Sequence, residues 1–300
     1  MRIIDRDFVE TSNLQRQTLF TESDASERLP KAVACQRRLA EINSEVKTEG
    51  LVRDVQRGNI EDLIEDCDLV LDGTDNFAAR FLINDACVKH RVAWIYGAAV
   101  GSYGVTMTIR PHVSPCLRCV FNSLPAAGST PTCDTSGVIL PIIQTIAAIQ
   151  LTEALKLLTQ QDHLLHNLLL QFDIWHNERR SINLGAPEPA CPTCCQSRFD
   201  FLDSESADFS ALLCGRNAVQ VAPPMPVSLN LQALGERLRK IGEVKVNPYL
   251  LRFSVGTCEL TVFLDGRAII RGTDDGQRRA HSTPSTLARK HFRIRSGYSE

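Results

Sequence analysis

The chain has 300 residues, of which 43% are hydrophobic and 23% are charged, and its formal net charge is −2. This composition is typical of a soluble globular protein, and a charge so near zero argues against a general nucleic-acid or membrane-surface binder. The first residues, MRIIDRDF, lack the basic start and apolar run of a signal peptide. The most apolar stretch, 138–158, contains polar and charged residues, which disfavours a membrane span. We therefore expect a cytoplasmic protein that binds neither nucleic acid nor membrane.

The first hundred residues alternate short apolar runs with segments of helical periodicity. Pro30 suits the first turn of a helix, where its missing N–H costs no hydrogen bond, and Val33, Leu39 and Ile42 would face inward. The pattern predicts strands at 2–4, 46–52, 68–71 and 92–96, and helices from Pro30, at 60–65 and at 77–90. Strands separated by helices indicate a parallel sheet with helices on both faces.

After Tyr96 the pattern becomes that of antiparallel strands. We predict a strand at 103–109, a long apolar helix at 138–158, and a hairpin from 168–174 and 180–184. A small α+β unit follows, with strands at 219–221, 250–255, 260–264 and 268–271 and a helix at 229–241. The Asp-Gly pair at 265–266 predicts a tight hairpin turn. We place the boundary near residues 200–215 and divide the chain into domains 1–200 and 201–300.

Cysteine spacing gives the clearest chemical signal. The odd total of eleven cysteines and the missing signal peptide argue against a secreted disulfide framework. Two C-x-x-C hooks are separated by 71 residues, and two hooks supply the closed set of four thiolates that suits structural zinc. Buried free thiols or a redox pair are the alternatives, and Cys195 could replace one of the four. The expected ligands are Cys116, Cys119, Cys191 and Cys194.

These observations predict an α/β fold with a Rossmann-like, mostly parallel sheet, an antiparallel extension and a four-cysteine zinc site. The small C-terminal α+β unit follows it. In such a sheet Asp5, just after the first strand, could accept hydrogen bonds from a ribose. Arg16 and Lys31 are cations of the type that bind phosphates, and a carboxylate in the run Asp72–Asn76 could hold magnesium. Each of these assignments is weak when it is taken alone.

Taken together, the motifs are specific. The runs Ser12-Asn-Leu-Gln-Arg-Gln17, Pro30-Lys31, Leu71-Asp-Gly-Thr-Asp-Asn76 and Thr132-Cys-Asp-Thr-Ser-Gly-Val138, with the paired hooks, resemble the ThiF/MoeB adenylyltransferase family, kin of ubiquitin-activating enzymes. The resemblance covers about residues 1–200. It implies an enzyme that transfers AMP from ATP to the C-terminal Gly-Gly carboxylate of a ubiquitin-like sulfur-carrier protein. Carriers of the thiamine and molybdopterin pathways both remain open, and the resemblance also implies a homodimer.

The resemblance assigns roles to individual residues. The aspartate that matches Asp5 holds the ribose, and the one that matches Asp75 organises magnesium. The loop thiol that matches Cys133 can take part in thioester or persulfide chemistry, although a purely structural role is equally open. We take Arg16, Asp75 and Cys133 as the candidate catalytic residues. The residues that would surround the ATP phosphates are Asn13, Arg16, Gln17 and Lys31.

A first strand and a Gly-rich loop precede the residue matching Asp5 in this family, and the printed chain contains no G-x-G-x-x-G. Loss of that strand would open the middle of the sheet. Two explanations compete: a start assigned too late, which Met1 directly abutting the motif favours, or an inactive homologue that binds a ubiquitin-fold partner without activating it. In both cases we expect the printed chain to bind ATP weakly, which isothermal titration measures.

Overall fold

The structure is a computed structural model that describes residues 1–121, 123–124, 136–203, 218–221, 227–256 and 258–271. The chain divides into two units, Met1–Leu213 and Cys214–Glu300. The strands of the first unit are β1 (Arg2–Asp5), β2 (Glu49–Val52), β3 (Leu69–Leu71), β4 (Ala93–Val100), β5 (Tyr103–Ile109), β6 (Leu168–Asp173) and β7 (Glu178–Asn183). Its α-helices are Glu22–Glu27, Lys31–Ile42, Ile60–Ile64, Phe77–His90, Leu117–Val120, Leu140–Leu158 and Asp200–Asp203, with 3-10 turns at Thr11–Asn13 and Asp162–Leu164.

The strands of the first unit form two sheets. β1 and β2 pair in parallel as a two-stranded sheet, and a five-stranded sheet has the order β3-β4-β5-β6-β7. In the larger sheet β3 and β4 are parallel, while β4 to β7 are joined by antiparallel pairings. The mixed α/β fold and the antiparallel extension are therefore confirmed. Among the described strands of this unit, parallel pairing is limited to β1 with β2 and β3 with β4, and these two pairs lie in separate sheets.

The helix Phe77–His90 has the predicted bounds because both of its ends are capped. The Asn76 side chain accepts a hydrogen bond from the Ala79 N–H at 2.8 Å, and Arg91 ends the helix in the left-handed conformation, with φ 58. The helix Lys31–Ile42 differs from the prediction. Its last residue, Ile42, is 67% exposed instead of facing inward, and Val46 lies outside β2, which begins at Glu49.

Helices cover both faces of β4. Trp94 and Tyr96 are buried in a core cluster with Phe81, on the helix Phe77–His90. The alternate residues face the helix Leu140–Leu158, whose Gln150 donates hydrogen bonds from Nε2 to the carbonyls of Asp72 and Ile95, each at 3.0 Å. The long helix is thereby fixed to the residue after β3 and to the first half of β4. Among the described residues, no helix is both long and apolar enough to cross a membrane.

The second unit contains an antiparallel sheet with the order β8-β12-β11-β10-β9. A helix, Leu231–Leu238, packs on β9 and β10 over a core that includes Leu251 and Phe253. The turn between β11 and β12 contains Gly266 at φ 84, which confirms the Asp-Gly turn. The strand β9 was not predicted. The strands are β8 (Ala218–Val221), β9 (Glu243–Val246), β10 (Leu250–Val255), β11 (Cys258–Phe263) and β12 (Ala268–Arg271).

Candidate functional site

Four cysteine thiols lie together where the two C-x-x-C hooks meet. The Sγ atoms of Cys116 and Cys191 are 3.6 Å apart, and those of Cys119 and Cys194 are 3.4 Å apart. All four sulfurs lie within 4.8 Å of one another. Cys195 is exposed, with its Sγ 3.8 Å from that of Cys194. The structure therefore brings together the four predicted thiols and places Cys194, not Cys195, in the cluster.

The donor set fits a tetrahedral metal ion. Sulfurs bound to zinc at about 2.3 Å lie roughly 3.8 Å from one another, whereas a disulfide joins them at about 2.05 Å. The observed sulfur–sulfur separations match those expected around a zinc ion and exclude disulfides, and the four cysteines are free thiols. Contact with Cys119 raises the pKa of Cys116, while the same contact lowers the pKa of Cys119. Four neighbouring thiols cannot all ionise without a cation, which a structural zinc ion would supply.

Two adjacent polar residues on the helix Phe77–His90 hold both hooks. Asn84 Oδ1 accepts a hydrogen bond from the Leu117 N–H at 2.9 Å, inside the first hook. Asp85 accepts hydrogen bonds from Thr193 Oγ1 at 3.0 Å, inside the second hook, and from the Phe201 N–H at 2.8 Å. Burial raises the pKa of Asp85 to about 6. The helix thus holds one residue inside each hook by a side-chain hydrogen bond.

A second cluster of charges lies where β1 and β2 end. Asp5 Oδ1 accepts a hydrogen bond from the Asp7 N–H at 2.7 Å, and Lys31 Nζ lies 3.4 Å from Asp7 Oδ2. Arg6 Nη1 donates to Asp54 Oδ1 at 3.1 Å. Burial raises the pKa of Asp5 to about 6, and the positive charge of Lys31 opposes this rise. The structure therefore brings the predicted Asp5 and Lys31 close together.

The run Ser12–Gln17, a few residues after β1 in the chain, forms a tight turn. Asn13 Oδ1 accepts a hydrogen bond from the Glu10 N–H at 3.0 Å, and Arg16 Nη1 donates to the Ser12 carbonyl at 2.9 Å. Asn13 is 1% exposed. Within the part of the chain that the structure describes, Asn13 Nδ2 and Gln17 Oε1 are buried without a hydrogen-bond partner. Such atoms are costly unless a water molecule or a ligand satisfies them.

The run after β3 separates a structural aspartate from an exposed one. Asp72 is buried, and its Oδ2 lies 3.2 Å from Arg80 Nε, while its Oδ1 accepts two hydrogen bonds from Thr74, each at 2.8 Å. Asp75 is exposed. Burial alone would lower the pKa of Arg6, but carboxylates that include Asp75 raise it, so Asp75 lies within electrostatic range of the β1 end. The Asp72 carboxylate is therefore occupied by Arg80 and Thr74, whereas Asp75 is exposed.

Sequence reasoning missed several of these residues. Arg6, Asp7 and Asp54 were not assigned, although Asp7 and Asp54 also follow strands, which is the signal that identified Asp5. Arg80 was missed because a buried arginine cannot be distinguished from a surface one by its spacing on a helix. Cys133 lies outside the described residues.

Comparisons with known proteins agree with this arrangement. The model of the ThiF family matches residues 1–193. The sulfur carrier protein ThiS adenylyltransferase of Bacillus subtilis is 45% identical over 277 residues, which covers 92% of this chain and 81% of that protein. The SAMP-activating enzyme E1 of Haloferax volcanii is 32% identical over 67% of this chain and 73% of that protein.

Solved structures agree at the level of the fold. The crystal structure of E. coli MccB with MccA-N7isoASN has a TM-score of 0.54 and 21% sequence identity, over 65% of this chain and 59% of that chain. The chain is thus a mixed α/β protein with charged strand ends and a cluster of four cysteines that could bind a metal ion. The chain belongs to the ThiF family.

Proposed function

We propose that this chain catalyses the ATP-dependent adenylylation of the C-terminal Gly-Gly carboxylate of a ubiquitin-like sulfur-carrier protein. The observation that carries the proposal is the 45% identity, over 92% of the chain, to a protein named sulfur carrier protein ThiS adenylyltransferase. That similarity favours an enzyme over the alternative, a binding module that docks a ubiquitin-fold partner without activating it. The unpartnered polar atoms of Asn13 and Gln17 supply independent support, because they suit a polar ligand.

The reaction makes a poor acyl donor reactive. A carboxylate oxygen of the carrier's last glycine attacks the α-phosphorus of ATP, the bond from that phosphorus to the bridging oxygen breaks, and pyrophosphate leaves with the electron pair. The product is an acyl-adenylate, from which sulfur can later displace AMP. The nucleophile is already anionic, so the protein needs to supply position and positive charge and no general base.

The charged residues described above divide this work. Asp5 accepts hydrogen bonds from the ribose as a carboxylate, and its pKa of about 6 leaves it ionised at neutral pH. Arg16 and Lys31 offset the phosphate charge, and Asn13 and Gln17 supply hydrogen-bonding groups beside them. Asp75 would hold magnesium, which lowers the charge of the phosphates when it is bound. Arg16 and Asp75 are the catalytic residues of this step in the proposal, and Cys133 is the catalytic candidate for the later sulfur chemistry.

The four cysteines act structurally in this proposal. Zinc at Cys116, Cys119, Cys191 and Cys194 would have no position open for substrate, because all four ligands come from the protein.

The proposal also includes a homodimer in the cytoplasm that serves a thiamine- or molybdopterin-type carrier. Three leucines on one side of the long helix, Leu151, Leu155 and Leu158, are each more than half exposed and provide apolar surface for a second copy.

Exchange of labelled pyrophosphate into ATP tests the proposed reaction. We expect exchange only when a ThiS- or MoaD-type carrier with an intact Gly-Gly end is present, and none with the same carrier lacking its last glycine. The substitution Asp75→Asn removes the metal-binding charge at an exposed position and should reduce exchange by about a hundredfold. If the chain binds both the carrier and ATP but no carrier supports exchange, the binding module is correct and the adenylyltransferase proposal is wrong.

A further inference from the structure

Arg6 occupies the centre of the charge cluster at the ends of β1 and β2. Its side chain is 21% exposed, and Nη1 lies 3.1 Å from Oδ1 of Asp54, whose side chain is 8% exposed. Asp54 is itself fixed, because its Oδ2 accepts a hydrogen bond from Gln56 at 3.1 Å and its carbonyl accepts one from Asn59 at 2.8 Å. Arg6 is therefore held by a rigid partner at the end of the neighbouring strand.

The carboxylate of Asp7 lies between two cations, one on each oxygen. Arg6 Nε is 3.8 Å from Asp7 Oδ1, and Lys31 Nζ is 3.4 Å from Asp7 Oδ2. The main chain also fixes this arrangement, because the Lys31 N–H donates to the Asp7 carbonyl at 2.9 Å. Lys31 is almost fully buried, so Asp7 constrains where its ammonium group can lie.

The balance of these charges matters for an anionic ligand. A carboxylate paired with Lys31 alone would hold the ammonium strongly and would repel a triphosphate that approaches it. Arg6 offsets the charge of Asp7 from the opposite side. Asp7 therefore holds the ammonium less strongly and repels the triphosphate less. Burial lowers the pKa of Arg6, but Asp54, Asp7 and Asp75 together raise it, so the guanidinium stays charged.

We infer that Arg6 is a positioning residue: with Asp54 it fixes the Asp7 carboxylate, and Asp7 in turn holds the Lys31 ammonium where the triphosphate binds. The inference rests on the proposed function, since it concerns the ATP phosphates of that reaction. Arg6 does not touch the reacting atoms in this account and acts through Asp7 and Lys31.

Pyrophosphate exchange with a Gly-Gly carrier separates this role from a merely structural one. For Arg6→Ala we expect the KM for ATP to rise about tenfold, as for the loss of one charge-assisted contact, with kcat changed less than about threefold. Arg6→Lys retains the charge but not the planar fork, so it should recover most of the affinity. The matched control is Arg38→Ala, which removes an exposed arginine paired with Glu41 and should leave KM unchanged.

Titration with inorganic tripolyphosphate measures the affinity of the same site for a phosphate chain without the reaction. Arg6→Ala should weaken tripolyphosphate binding by a similar factor, and Asp54→Asn, which keeps the side-chain shape, should weaken it less. Unchanged tripolyphosphate affinity in Arg6→Ala overturns the inference. The inference is also overturned if Arg6→Ala loses kcat and affinity equally and Arg6→Lys fails to restore them, because that pattern indicates a structural role. Absence of exchange in the natural sequence contradicts the proposed function alone.

Discussion

The substitution Asp5→Asn tests whether the end of β1 is built for ligand binding at a cost in stability. Burial raises the pKa of Asp5 from its ordinary value of 3.8 to about 6. The folded protein therefore holds a proton on this group more strongly than the unfolded chain does. The ionised form destabilises the fold, and its cost is fully present above about pH 6 and absent below about pH 4. The asparagine is neutral at every pH and can still accept the Asp7 N–H bond.

The difference in pKa sets the size of the effect. At about 1.4 kcal/mol per pKa unit, ionised Asp5 costs up to about 3 kcal/mol, and contact of the half-buried side chain with water reduces this figure. We expect Asp5→Asn to raise the free energy of unfolding by roughly 2 kcal/mol at pH 8, or about 4–8 °C in melting temperature. At pH 4 the variant and the natural sequence should have the same stability.

Urea unfolding of both proteins at pH 8, 6 and 4 measures this difference, and the ATP KM of the variant is measured at pH 8. A stabilised variant that binds ATP less well would show the trade-off expected at a functional site. A stability difference that does not change with pH, or a variant less stable than the natural sequence at pH 8, refutes the reasoning. Effects of titrating groups that lie far from Asp5 cancel because both proteins contain them.

Two further predictions concern the metal cluster and the buried ion pair. Cys119→Ser should reduce bound zinc, measured by elemental mass spectrometry, from one ion per chain to none and lower the melting temperature by roughly 10 °C. Cys195→Ser, at the exposed neighbour, should retain the ion. Arg80→Ala should cost about 3–5 kcal/mol in urea unfolding because it leaves Asp72 buried and unpaired, whereas Arg38→Ala should cost less than about 1 kcal/mol.

Local signals in the sequence predicted the elements whose ends are determined locally. The bounds of Phe77–His90 follow from the Asn76 cap, and those of β5 follow from a strict alternation. The strand β9 was missed because it has four residues, with the alternation Glu243, Val244, Lys245, Val246, and lies at the edge of its sheet. So short a pattern is stabilised by pairing with β10, which is a non-local contact.

The site was predictable in its residue types but not in its pairings. Asp5 and Asp7 both lie at or just after the end of an apolar strand, yet only the fold shows that Asp7 lies between Arg6 and Lys31. The run after β3 offered two aspartates, and the ion pair with Arg80 is what removes Asp72 from consideration. The cysteine hooks were predictable because two residues between thiols already imply the geometry of a shared metal.

The paired hooks also have a mechanical consequence. The 71 residues between Cys119 and Cys191 include the helix Leu140–Leu158 and the β6–β7 hairpin. If metal–thiolate bonds join the two hooks, a force applied to the chain ends is transmitted from one hook to the other. The segment between the hooks then bears no force. At about 3.4 Å per residue, roughly 240 Å of chain would stay hidden until the bonds break. In a pulling experiment, removal of the metal should therefore lengthen the first unit's extension by that amount.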